Sequence, residues 1–234
     1  KPNSDGSQFF VCLSTQASLD GKFSAFGRVT EGIEILDKIS QLPADSSQIA
    51  LKPVRITSIT IDKKKVEPFL ETPVEELSKT VTVTTTLGTL KLKMRPDLAP
   101  NHVRNFLKLT QTGWYNGTSF HRLIKGFVAQ GGMAAERASG PTHPADRWVH
   151  PVKGEFQNEV KHARGLMSMA RTSDPDSAMT SFFLCLGPAP HLDGQYSIFA
   201  AVIEGQEVLD ALEKEEVQGE TPSRRIELTT AVID

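Results

Sequence analysis

A mainly β chain, closed into an antiparallel barrel with helices over its ends and preceded by half of another such unit, is what three features of this sequence predict. The first is an alternating run, TVTVTTTLGTLKLKM at residues 80–94, with apolar side chains on one face and polar ones on the other. The second is a pair of helical patterns set among many short strands and loops, the composition of a closed barrel with capped ends. The third is an internal repeat. Phe9, Cys12, Leu19-Asp20-Gly21, Phe26, Gly32 and Leu36 recur as Phe182, Cys185, Leu192-Asp193-Gly194, Phe199, Gly205 and Leu209, always 173 positions on. Residues 80–173 have no earlier counterpart, so the chain reads as half a unit followed by a whole one.

The elements follow in order. Residues 9–13 and 23–29 read as strands around a turn at Asp20-Gly21. A short helix follows Glu31-Gly32, with Ile35, Leu36 and Ile39 at helical spacing, and residues 54–61 read as a last strand. Residues 63–79, KKKVEPFLETPVEELSK, are charged, hold two prolines and lack periodicity, as a linker does. Residues 80–94 form a hairpin around Gly88, in which Val81, Val83, Leu90, Leu92 and Met94 share the buried face. In PDLAPNHVRNFLKLTQTG, Pro100 suits a first helical turn, Val103, Phe106 and Leu107 one apolar face, and Gly113 the stop. A second helix is expected at 207–212. The division is therefore 1–62 as the C-terminal half of a first unit, 63–79 as linker, and 80–234 as a complete unit.

Composition narrows the function. Among 234 residues, 38% are hydrophobic and 23% charged, which is globular rather than disordered. A net charge of −2 and no long run of one sign argue against nucleic acid or a membrane surface as partner. The longest basic run, Lys63-Lys64-Lys65, suits a solvated linker. No apolar run approaches a membrane span, and the compartment stays open between cytoplasm and export. Cys12 and Cys185 occupy one repeat position in apolar strands and are expected to be free, buried thiols. His143, Asp146 and His150 would be a metal site only with further ligands, so a solvated loop is the expectation. No G-x-S-x-G elbow supports a hydrolase.

The chemistry concentrates in SFHRLIKGFVAQGG, residues 119–132, where Arg122 and Gln130 stand among aromatic and aliphatic residues. A guanidinium keeps its proton, and burying one is costly unless its donors are used. Either Arg122 satisfies backbone carbonyls or it is presented to a ligand from an apolar surface.

FHRLIKGFVAQGG, then GEFQNEV at 154–160, GLMSMA at 165–170, FFLCL at 182–186 and LDGQYSIFAAVIEG at 192–205, resembles the cyclophilin-type peptidyl-prolyl isomerases, particularly bacterial forms. The resemblance covers residues 80–234, and residues 3–32 resemble the C-terminal half of another copy. It implies an eight-stranded barrel with two capping helices and an outer groove that binds Xaa-Pro segments of polypeptides, with no metal or cofactor. By resemblance Arg122 is the donor to the prolyl nitrogen, Gln130 holds a substrate carbonyl and orients the arginine, and Phe127, Phe183 and Leu192 wall the proline pocket. Val128 stands where methionine is usual, Ser181 for glutamine, His191 for tryptophan and Tyr196 for histidine. Arg171-Thr172 replaces an Asn-Ala pair whose backbone binds the residue before proline. The missing tryptophan implies weak cyclosporin binding.

The leading expectation is thus an isomerase assisting protein folding, and the alternative a non-catalytic proline-peptide module or chaperone-like scaffold. The first copy keeps Gln8, Phe10 and Leu19 but no FHR segment. It cannot close a barrel alone, so either its missing half is another chain or segment, or it packs otherwise. A tandem protein cut or truncated in the loop at residue 1 is the expected origin.

Overall fold

A computed structural model describes residues 6, 8–61 and 66–234. The chain divides into two compact units, Lys1–Lys64 and Lys65–Asp234. The basic run Lys63-Lys64-Lys65 lies outside the described residues, as do residues 1–5 and 7.

In the first unit the three expected strands do not form. Its described residues hold one 3-10 turn, Ala17–Leu19, one helix, α1 (Ile33–Ser40), and an isolated bridge between Ala44 and Ala50. The apolar side chains of the strand patterns face solvent, Phe26 at 83% and Ile61 at 88% exposure, and Cys12 is exposed rather than buried.

In the second unit β1 (Thr80–Thr85), β2 (Gly88–Met94), β3 (Thr118–Ile124), β4 (Val128–Gly131), β5 (Leu166–Met169), β6 (Phe182–Cys185), β7 (Ile198–Glu204) and β10 (Ile226–Ile233) close a barrel. The order is β1-β10-β3-β4-β6-β5-β7-β2, antiparallel throughout. Strand β6 pairs with β4 and β5, β7 with β2 and β5, and β10 with β1 and β3. The repeated strands never pair with each other. All their partners come from residues 80–173, and among the described residues of the first unit no such ladder forms.

Helix α2 (Pro100–Gln111) and helix α3 (Gln206–Lys214) pack against the barrel, with β8 (Val217–Gln218) and β9 (Thr221–Pro222) forming a small hairpin after α3. Pro100 begins α2 where a missing N–H costs nothing, and Gly113 follows its end at φ 71°. The first backbone donors of α2 are taken by Glu155, whose carboxylate accepts from Asn101 N at 3.0 Å and His102 N at 3.0 Å. Val103, Phe106 and Leu107 are fully buried, and Phe106 sits at the centre of an aromatic cluster with Tyr115, Phe182 and Phe199. Inside the barrel a void of about 10 Å³ remains among Val83, Leu92, Phe120, Phe182 and their neighbours. Its lining is wholly apolar, so the interior is a packed core and not a binding site.

Part of the segment expected as linker belongs to this core. Leu77 is fully buried, and Lys108 of α2, itself buried, binds Glu67 Oε1 at 2.8 Å and the Trp148 carbonyl at 2.8 Å. Arg104 donates to the carbonyls of Phe69 and Thr72. Charge and proline disguised this stretch because its anchors are backbone carbonyls and single side chains, which leave no periodic pattern.

Candidate functional site

The hairpin β3-β4 places the expected residues by register. Pairing on these strands sets Arg122 opposite Gln130, Gln130 opposite Phe183 on β6, and Phe183 opposite Ser168 on β5. Four residues scattered from 122 to 183 thus form one row across four strands.

That row depends on an irregularity. Phe120 pairs with Gly131 while Arg122 pairs with Gln130, so β3 spends two residues where β4 spends one. Without this bulge Phe120 and Arg122 would point to the same face, since side chains alternate with period 2. With it, Phe120 and Leu123 both enter the core and Arg122 is turned to the outer surface beside Gln130.

Arg122 is fixed by three contacts. Its Nε donates to Glu220 Oε2 at 2.6 Å and a terminal nitrogen to Glu220 Oε1 at 3.4 Å, while the other terminal nitrogen reaches Gln130 Oε1 at 3.5 Å. Gln130 Nε2 in turn donates to Ser181 Oγ at 3.4 Å, and Ser181 donates to the Gly131 carbonyl at 2.9 Å. The arginine side chain keeps 37% of its surface open. The guanidinium is therefore oriented yet available, rather than spent on backbone carbonyls.

Beside it lies an apolar patch distinct from the barrel core. Val128, Phe183, Cys185, Ala189 and Leu192 form it, with Phe127 and Tyr196 packed against them. The Tyr196 ring meets Phe183 edge-on at 5.3 Å, and Phe127 packs on His191 at 5.1 Å. Leu192 arrives on a 3-10 turn, Pro190–Leu192. Arg171 stacks over Tyr196 at 4.6 Å from the ring centre and donates to the carbonyls of Gln195 and Thr172. All ten expected site residues thus fall in two adjoining groups, the polar row with Ser181 and the apolar patch with its Arg171 rim. Burial raises the Cys185 thiol to about 12, which leaves it unreactive.

Behind Phe183 runs a buried chain that sequence reading missed. His162 Nδ1 bonds Asp193 Oδ1 at 2.9 Å, His162 Nε2 meets Ser168 Oγ at 3.0 Å, and the imidazole stacks on Phe183 at 6.2 Å between centres. The residue types are those of a nucleophilic triad, but Ser168 has no exposed surface for a substrate to reach. The chain instead supports the ring of Phe183 from below.

Burial draws the His162 pKa below its ordinary value despite the pull of Asp193 in the other direction. An unfolded chain then binds a proton that the folded one refuses, so stability is full above the unfolded value of about 6.5 and declines as pH falls through it. We expect a lower melting temperature at pH 5.5 than at pH 7.5, and a smaller difference in His162→Gln. An imidazole titrating above pH 6.5 by NMR would reverse the sign.

His143 and Asp146 form a loop staple, while His150 lies apart from them, exposed and 3.9 Å from Glu67 Oε1. Asp146 accepts from Trp114 Nε1 at 2.7 Å and from His143 N at 2.7 Å, and His143 Nδ1 accepts from Ala145 N.

Comparison with known proteins agrees with the fold. A family model described as cyclophilin type peptidyl-prolyl cis-trans isomerase/CLD matches residues 1–61 and 80–233. Peptidyl-prolyl cis-trans isomerase CYP18-1 of Arabidopsis thaliana is 41% identical over 155 residues, 65% of this chain and 94% of that one. Peptidyl-prolyl cis-trans isomerase A of Dickeya dadantii is 36% identical over 159 residues, 65% and 80% of the two chains. A solved structure, a cyclophilin type isomerase of Cryptosporidium parvum in the presence of the dipeptide Ala-Pro, superimposes with TM-score 0.60 at 32% identity, covering 67% of this chain and 99% of that chain. Relatives come from a plant and a bacterium alike, so the lean of the motifs toward bacterial forms says nothing about source.

Proposed function

The chain belongs to the cyclophilin-type peptidyl-prolyl cis-trans isomerases, and we propose that it turns over Xaa-Pro bonds in flexible polypeptide segments on the surface formed by Arg122, Gln130, Phe127 and Phe183. The observation that carries this assignment of the site is the row in which an oriented, half-open guanidinium adjoins an apolar patch.

The chemistry asks for little else. A prolyl amide resists rotation by about 18–20 kcal/mol because resonance flattens it. In the twisted state that resonance is lost and the prolyl nitrogen becomes an acceptor, so a donor placed there stabilises the twisted state over either planar one. Phe127, Phe183 and Leu192 hold the pyrrolidine ring, and Arg122 supplies the donor. Gln130 holds a substrate carbonyl and keeps the guanidinium in plane. Val128, Tyr196, His191, Ser181 and Arg171 form the walls and rim that flanking residues meet.

The test is exchange spectroscopy on a short Ala-Pro peptide with the protein at about a hundredth of the peptide concentration. Cis/trans exchange is expected to exceed the uncatalysed rate, which has a time constant of tens of seconds or more. Peptide that binds while exchanging at the uncatalysed rate would mark a docking module instead.

The first unit reads as a half copy of the same barrel. The 173-residue offset, the family match at 1–61 and the exposed Phe9, Phe10 and Phe26 support this. Its completing partner is a segment equivalent to residues 80–173.

A further inference from the structure

We propose that Glu220 is a positioning residue for the reaction, orienting Arg122 from the tip of the β8-β9 hairpin; this rests on the assignment of Arg122 as the donor. Glu220 lies 98 residues from Arg122, and no motif points to it.

The hairpin is built to hold it there. Val217 pairs with Pro222 and Gln218 with Thr221, leaving Gly219-Glu220 as a two-residue turn. Gly219 has φ 65°, and Glu220 is not among the residues with positive φ, the pattern of a tight turn with glycine in its first central position. The main chain of Glu220 is pinned to the strand that carries the arginine, because its carbonyl accepts from Leu123 N at 2.7 Å. Backbone and carboxylate therefore grip adjacent residues of β3.

The grip selects one edge of the guanidinium. Glu220 takes Nε and one terminal nitrogen, the fork geometry that fits a carboxylate, and leaves the second terminal nitrogen on the side of Gln130. An arginine side chain has several rotatable bonds and a planar head. Fixing one edge sets the plane, and so the direction in which the free donors point. A donor aimed at a twisted prolyl nitrogen contributes only when it lies in line with that lone pair. The expected signature is thus a loss in the chemical step rather than in binding.

The test compares Glu220→Ala, Glu220→Gln, Arg122→Ala and the double variant, using the full chain and an Ala-Pro peptide. Glu220→Ala is expected to lower kcat about fivefold with KM unchanged. Glu220→Gln, which keeps one acceptor oxygen, is expected to fall between it and the parent. In the Arg122→Ala background, removal of Glu220 is expected to change nothing further, because its effect passes through the guanidinium. The Arg122 Nε–H signal, identified by its loss in Arg122→Ala, is expected to broaden in Glu220→Ala.

Unchanged or faster exchange in Glu220→Ala, beside a collapsed Arg122→Ala, would overturn the positioning role alone. Equal further losses in both backgrounds would make Glu220 a structural residue of the hairpin and would overturn it too. Full activity in Arg122→Ala would remove the assignment of the donor and this proposal together.

Discussion

Arg122→Ala is expected to lower kcat/KM for cis/trans exchange by about ten- to a hundredfold while leaving the fold intact. The magnitude follows from the single interaction removed, a charge-assisted hydrogen bond of about 1.5–3 kcal/mol that exists only in the twisted state. The fold is spared because the side chain lies on the outer face, and its contact with Glu220 is an exposed ion pair of little worth to stability. Arg122→Lys is expected to recover little of the rate. An ammonium lacks the planar fork that lets one edge bind Glu220 while the other faces the substrate. Circular dichroism and melting temperature alongside the exchange rate separate the catalytic loss from unfolding. An alanine variant keeping more than half the activity would show that another group stabilises the twisted amide, and would move the site away from this row.

Phe106→Ala is the second large effect, and it acts on stability. The ring is 1% exposed and lies 4.9 Å from Tyr115, 5.1 Å from Phe199 and 5.9 Å from Phe182, centre to centre. Removing it deletes the contacts of α2 with β6, β7 and the turn at Tyr115 at once, in a core too well filled to collapse around the gap. A loss of about 3–5 kcal/mol is expected, which for a domain of this size is a melting-point fall of about 10 °C. Phe26→Ala in the first unit is the matched control. Its ring is 83% exposed, so the same truncation should leave the melting of the second unit unchanged. Similar shifts from both substitutions would show that the exposed aromatics of residues 8–61 are buried in solution.

The two copies of the repeat separate what local sequence can specify from what it cannot. The 3-10 turn Ala17–Leu19 and helix α1 (Ile33–Ser40) recur 173 residues on as Pro190–Leu192 and α3 (Gln206–Lys214). Gly32 and Gly205 both take positive φ just before their helices, at 79° and 94°. These elements close their hydrogen bonds within a few residues, so the same local sequence yields them with or without a barrel. The strand between them, expected at 23–29 and formed in the second unit as β7, is as alike in sequence and differs completely in outcome, because a strand is completed only by a neighbour.

The site divides along the same line. Arg122, Gln130, Phe127, Phe183 and Leu192 were legible as motif residues, and so was the class of groove they belong to. The bulge that turns Arg122 outward was not, since a period-2 reading of FHRLI puts Arg122 on the same face as Phe120. Nor was Glu220 legible. A Gly-Glu turn is visible in the sequence, but the distant side chain it meets is not. The buried Asp193, His162 and Ser168 chain was equally silent, because its members belong to separate segments.

By itself, then, the sequence determined the periodic elements of residues 80–234, the family and the motif residues of the proposed site. Each of these is written in neighbouring positions or fixed spacings. The tertiary structure alone decided the alignment of Arg122, Gln130 and Phe183, the clamp of Glu220, the packing of residues 66–79 onto the barrel, and the failure of the first unit's strands to form. All of these depend on which distant segment lies alongside, and that is set by closing the barrel as a whole.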